Sequence, residues 1–292
     1  MADPTDMPAS TPPERGSPPW SSPWAPPGGG SWPPDWSPNG WRAPVGTGPL
    51  APPPAPARNP LPPPPAPRRA LAGQLTGVLL LAFTPGLLGL LVLALGGGSG
   101  GGGEVGLVPA VVSGVIDLVL QWAPVVVIGV LIARSREGWA GIGLTRPRGR
   151  EAGEGAALWV ASWVLVYVLS IAFQFFGQRQ VDFLPHSLPL WFRIVDAVTI
   201  AATAGVTEEV TVRGYAQTRL EQLRAPAALI VVGPTAIWGF LHLYQGLGAA
   251  LTIFGLGIMY AVYFHRTRRL WPLIVAHGLF DLTQLVLILS GF

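Results

Sequence analysis

The chain has 292 residues, of which 50% are hydrophobic and only 11% charged, whereas soluble domains carry about a quarter charged residues. Every positive charge comes from arginine, for there is no lysine, and the net charge is +3. There is no cysteine, which excludes disulfides, thiolate zinc sites and cysteine nucleophiles.

Residues 1–67 hold 24 of the 33 prolines and five tryptophans, Trp20, Trp24, Trp32, Trp36 and Trp41. Proline blocks helix and sheet, and so few aliphatic residues cannot build a core. The segment reads as a disordered, partly polyproline-II tail that does not pack on the rest of the chain. Runs such as Pro52–Pro54 and Pro62–Pro65 could serve a proline-binding partner, but a solvated tail is the simpler reading. The N-terminus lacks the basic and apolar regions of a cleavable signal peptide.

From Leu71 the pattern changes. Seven apolar runs follow, at roughly 71–95, 105–133, 155–177, 190–220, 226–244, 247–265 and 270–290, each able or nearly able to cross about 30 Å of hydrocarbon. Helices are the expected form, because open strands leave backbone groups unpaired in lipid. The fold class is therefore an all-α polytopic membrane protein of about seven spans over 68–292, preceded by the proline-rich tail. The fourth run is amphipathic and charged, and hydropathy alone leaves it in doubt.

Arginine placement resolves that doubt. Arg68 and Arg69, then Arg134 to Arg150, then Arg219 and Arg224, then Arg266 to Arg269 all fall on one side if seven runs span. The positive-inside rule then puts the N-terminus in the cytoplasm of a plasma-membrane, multi-pass protein. Arginines in short loops serve topology and are no nucleic-acid signal. Arginine without lysine, with abundant Gly, Pro and Ala, suits a GC-rich bacterial genome.

Ionisable residues inside membrane helices cost about 2.5–3.5 kcal/mol on insertion scales, so they are functional candidates. They gather in three places. Glu208 and Glu209 lie in Thr207-Glu208-Glu209-Val210-Thr211-Val212-Arg213-Gly214-Tyr215, where Glu209 and Arg213 are four apart and can pair. That leaves Glu208 about 100° round the helix, free to act as a general base. His242 ends Trp238-Gly239-Phe240-Leu241-His242. His277 and Asp281, again four apart, share a face on which a carboxylate can partner the imidazole.

Spacing allows the three to meet. Glu208 and His242 lie symmetrically about Ala225, so in a helical hairpin both stand about 24 Å from the tip. His277 lies about 12 Å from the Arg266–Arg269 turn. The heights agree if Thr218–Arg224 projects about 10 Å beyond the membrane. A water-filled cavity opening on the cytoplasmic side is expected. His186 and His265, in loop and turn, read as structural, and Asp117 and Asp196 as polar contacts.

In order, these motifs resemble the signature of the CAAX-protease and bacteriocin-processing membrane proteins. That pattern is Glu-Glu-x-x-x-Arg, then Phe-x-x-x-His, then His-x-x-x-Asn or Asp. The resemblance covers about residues 190–290. Trp238 stands where Phe is usual, which keeps an aromatic wall, and Asp281 stands where Asn is common. The resemblance implies an intramembrane endopeptidase acting on membrane-associated proteins or peptides. Glu208 with His242 would activate water, and His277 with Asp281 would stabilise the oxyanion. Glu209 and Arg213 would hold the helix and the substrate. Glu208, His242 and His277 could also bind zinc, and a metal-free glutamate mechanism fits the same residues. The rival readings are a non-catalytic scaffold or bacteriocin-immunity protein, which would tolerate Glu208→Ala, and a transporter, which would need repeated halves.

Overall fold

The computed structural model describes residues 58–95, 106–177 and 186–290. The tail reading for residues 1–57 and the glycine-rich 96–103 connector lie outside them. Every regular element among the described residues is a helix: α1 (Arg68–Ala94), α2 (Leu107–Ser135), α3 (Gly149–Phe173), α4 (Leu190–Glu208), α5 (Thr218–Gln222), α6 (Ala227–Leu241), α7 (Leu247–Thr267) and α8 (Trp271–Leu289). Three short 3-10 turns, at Trp139–Ile142, Gln174–Phe176 and His242–Gln245, close off α2, α3 and α6.

Seven of the resulting stacks are long and apolar enough to cross a membrane. The fourth, Leu190–Gln222, is 33 residues long because α4 and α5 are joined without a break by a π-helix, Glu209–Gln217. Its charge is accommodated by burial: Glu209, Arg213, Gln217 and Arg219 are almost wholly enclosed by protein. Interior prolines in α1, α2 and α6 (Pro85, Pro124, Pro234) are tolerated in the manner usual for membrane helices.

α8 lies against both α3 and α4, and α7 against α3 and α6. Two close approaches set this packing. A Cβ on Gly155 of α3 would lie 2.7 Å from Val275 of α8. On Gly205 of α4 it would lie 2.9 Å from the Gly278 nitrogen. The α4 and α8 backbones thus touch, as small residues permit between membrane helices. That contact falls three residues before Glu208 and one after His277.

The loop arginines gather at one end of the bundle, where several are buried in ion pairs. Arg219 bonds Glu137 at 2.7 Å, Arg268 bonds Glu221 at 2.6 Å, and Arg269 bonds Glu151 at 2.8 Å and Glu154 at 2.7 Å. His265 joins them through Glu221 at 2.7 Å. Arg268 also reaches the Gly141 carbonyl and the Thr218 hydroxyl, which puts the α7–α8 turn level with the start of α5.

The last residues of the expected tail do pack on this end, contrary to the sequence reading. Arg58 pairs with Glu221 at 2.6 Å. The Asn59 backbone N–H donates to the Thr267 carbonyl and its side-chain amide to the Arg268 carbonyl. The Gln222 amide donates to the carbonyls of Pro62 and Pro63. A proline run cannot donate, but its carbonyls still accept.

Candidate active site

Where α4 gives way to the π-helix, the two glutamates part company. π-Helices are rare and concentrate at functional sites. Glu209, the first π residue, turns wholly into the protein, while the Glu208 side chain stays about a third exposed (32%). Glu209 Oε1 accepts from Arg213 Nη1 at 3.0 Å and from His277 Nδ1–H at 2.8 Å. A carboxylate only accepts, so Nδ1 carries the proton. Arg213 also donates to the Gly257 carbonyl at 3.3 Å, and its guanidinium lies over the rings of Trp238, 4.7 Å away, and Tyr260, 5.8 Å away.

With Nδ1 committed, His277 presents Nε2 to the cavity. It lies 3.5 Å from Asp281 Oδ2 and 3.9 Å from Glu208 Oε2. The first distance is too long for a good hydrogen bond. The carboxylate hydrogen-bonded to His277 is therefore Glu209, from the neighbouring span, while the expected partner Asp281 lies within ion-pair distance of the other ring nitrogen. The i,i+4 spacing brings Asp281 alongside Nε2 and leaves Nδ1 aimed at Glu209 in the fourth span, which the Gly205–Gly278 contact draws close.

His242 is the C-terminal cap of α6 and opens the 3-10 turn. Its Nδ1 lies 2.9 Å from the Trp238 carbonyl. A carbonyl only accepts, so Nδ1 again holds the proton and Nε2 is left free. The Trp238 indole N–H donates to Glu208 Oε2. Sequence reasoning gave Trp238 only the role of a wall. Its donor group was the available signal, since a buried indole N–H needs an acceptor.

Glu208, Trp238, His242, Tyr244, His277 and Asp281 all line one cavity of about 620 Å³. Its expected direction needs correcting. The lining runs along Ala110–Gln121 of α2, the stretch from Leu188 to Glu208, and α8 from His277 to Ile288, away from the arginine-rich end. Toward that end the fourth span is buried from Glu209 to Arg219. Asp117 and Asp196 line the far part of the same cavity. His186 is exposed in the segment before α4, and His265 belongs to the arginine-end network.

The Nε2 atoms of His242 and His277 and the Glu208 carboxylate are ligands of the kind zinc takes, each imidazole being held through its other nitrogen as metal ligands are. Among the described residues, however, no three His, Asp or Glu side chains are grouped so as to hold a metal ion. As placed, the set does not fit a bound metal.

Residues 189–283 match the model of one protein family, described as Rce1-like, type II CAAX prenyl endopeptidase Rce1-like. The match covers about a third of the chain and includes all of Glu208, Glu209, Arg213, Trp238, His242, His277 and Asp281. This segment is thus similar to an Rce1-like domain, which is consistent with the CAAX-protease resemblance of its motifs. No curated protein matches the chain, and no solved structure does.

Proposed function

We propose that the Rce1-like segment makes this protein an intramembrane endopeptidase in which Glu208 is the general base. The observation that carries the reading is that a partly exposed glutamate and two imidazoles, each held through Nδ1, line one cavity, 3.9 Å separating Glu208 from His277. Proteolysis needs such a set: a base for water, a donor for the oxyanion and a proton for the leaving amine.

In the proposed cycle a water lies between Glu208 and His242 Nε2. Glu208 takes its proton as the hydroxide oxygen bonds to the scissile carbonyl carbon. His277, as imidazolium, keeps Nδ1–H on Glu209 and turns Nε2–H to the oxyanion. The C–N bond then breaks, and Glu208 passes its proton to the departing amine. Glu209 and Arg213 touch no reacting atom in this scheme; they fix His277. No step passes through a metal.

The arginine-rich end faces the cytoplasm of a plasma membrane under the positive-inside rule. The cavity runs toward the other end, so the substrate is a membrane-associated protein or peptide entering from within or beyond the bilayer. The test is a comparison of membrane proteins between wild-type cells and a Glu208→Ala strain. At least one membrane protein should persist uncut in the variant. An internally quenched peptide spanning its cleaved bond should then be hydrolysed by the purified wild-type protein alone. Identical profiles in the two strains would favour a non-catalytic scaffold instead.

A further inference from the structure

Trp238 touches each part of the site by a different group. Its indole N–H donates to Glu208 Oε2. Its backbone carbonyl accepts from His242 Nδ1 at 2.9 Å. Its ring face lies under the Arg213 guanidinium at 4.7 Å, and Arg213 holds the Glu209 that holds His277. The His242 ring meets the indole edge-on with centroids 4.9 Å apart, and the His277 ring does so at 6.1 Å.

The indole itself has little freedom. Trp238 is 5% exposed and packs with Phe83 of α1 and Val212 of the π-helix. Its six-membered ring lies against Gly257 of α7, where a Cβ would come within 2.9 Å of it. Only glycine leaves room there for an indole. The same Gly257 offers its carbonyl to Arg213, so one residue both admits the ring and anchors the cation stacked on it. Phenylalanine would fill most of this space but would bring no N–H.

We propose that Trp238 is a positioning residue that clamps Glu208 and His242 into one frame, holding Glu208 Oε2 so that Oε1 is the oxygen turned to water. The kinetic part of this proposal rests on the protease reading; the clamp does not. An indole that only walls the cavity would be replaced by phenylalanine without loss. A clamp would not, because Glu208 would then swing freely on its rotatable side chain and the near-attack geometry would be populated for less of the time.

The full-length protein in detergent micelles, labelled with indole-¹⁵N tryptophan, gives a readout that needs no substrate. The resonance missing in Trp238→Phe identifies Trp238. It should move upfield in Glu208→Ala, as an indole proton does when it loses a carboxylate acceptor. In parallel, the quenched peptide from the Glu208-dependent substrate should show kcat lowered about ten- to hundredfold in Trp238→Phe, the size of one hydrogen bond to a charged group. KM should stay within about twofold. Gly257→Ala, whose added methyl would crowd the indole and the Thr235 methyl group but no polar atom of the site, should shift the same resonance and lower kcat in the same direction.

A Trp238 resonance indifferent to Glu208→Ala overturns the clamp. A shifted resonance with unchanged kcat in Trp238→Phe overturns its role in positioning. Absence of any Glu208-dependent cleavage overturns the protease reading and the kinetic claim with it, while the resonance still decides whether the clamp exists.

Discussion

Replacing Arg213 by leucine would strand Glu209 in the interior. Both side chains of the pair are fully buried, and Glu209 Oε1 would keep only His277. Breaking a buried pair from one side costs about 3–5 kcal/mol, because a charge is left uncompensated. Loss of the bond to the Gly257 carbonyl and of the stacking on Trp238 adds to that cost, the latter by about 0.5–2 kcal/mol. Replacing Glu209 by glutamine as well removes the stranded charge. The double variant should therefore lose less than the sum of the single losses, by about 1–3 kcal/mol. The measurement is reversible unfolding in mixed micelles, followed by far-UV circular dichroism, across the four-member cycle. Additive losses, or an Arg213→Leu cost below about 1 kcal/mol, would refute the account of Glu209 and Arg213 as an ion pair on which the site is built.

Glu208→Gln keeps the shape but cannot accept a proton, so kcat should fall by about 10²–10⁴, while wild-type cleavage of the quenched peptide should survive strong chelator. Loss of activity on chelation with recovery on added zinc would replace the metal-free scheme with a metal-dependent one. Asp281→Asn should keep activity within about threefold, since Asp281 is not the hydrogen-bonded partner of His277; a loss of about a hundredfold, ~2.7 kcal/mol, would give Asp281 a chemical role. Deleting residues 2–57 should leave unfolding unchanged, whereas deleting 2–66 removes the contacts of Arg58, Asn59, Pro62 and Pro63. The longer deletion should cost about 1–2 kcal/mol, the Arg58 contribution being reduced by its exposure to water.

The spans were legible because lipid imposes a crude rule on composition: runs of 19 residues or more, free of all but a few charges, stand out in a chain so poor in charge. The arginine pattern supported the charged fourth span, although the same arginines turn out to be ion-paired as well as topological. Periodicity correctly paired Glu209 with Arg213, an interaction within one helix. The same rule placed Asp281 beside His277, where the two lie 3.5 Å apart, but it could not show the Nδ1 partner Glu209, which sits 68 positions away on a helix brought close only by packing. The π-helix left no mark either. Its residues, Glu209-Val210-Thr211-Val212-Arg213-Gly214-Tyr215-Ala216-Gln217, contain nothing that an ordinary buried helix would not. The cavity was expected toward the arginine-rich end, whereas its lining runs along α2, α4 and α8 toward the other end, a direction set by helix packing that spacing along the chain does not carry. The packing of residues 58–65 was missed because proline content predicts the absence of regular structure, which does not preclude docking of an extended chain.

The touching backbones of α4 and α8 make two glycines custodians of chemistry they take no part in. The contact is asymmetric. A methyl group on Gly278 would meet the Ala201 carbonyl at an ordinary 3.5 Å, but one on Gly205 would drive into the opposite main chain at 2.9 Å. Alanine at 278 should pass unnoticed, while alanine at 205 should wedge the two spans apart and carry Glu208 and Glu209 away from His277. A search for inactivating substitutions would then return a glycine with no reactive group among the glutamates and histidines. The tolerance of the catalytic geometry is thus lodged in a missing side chain, and it is inherited by any protein engineered from this bundle that moves either helix.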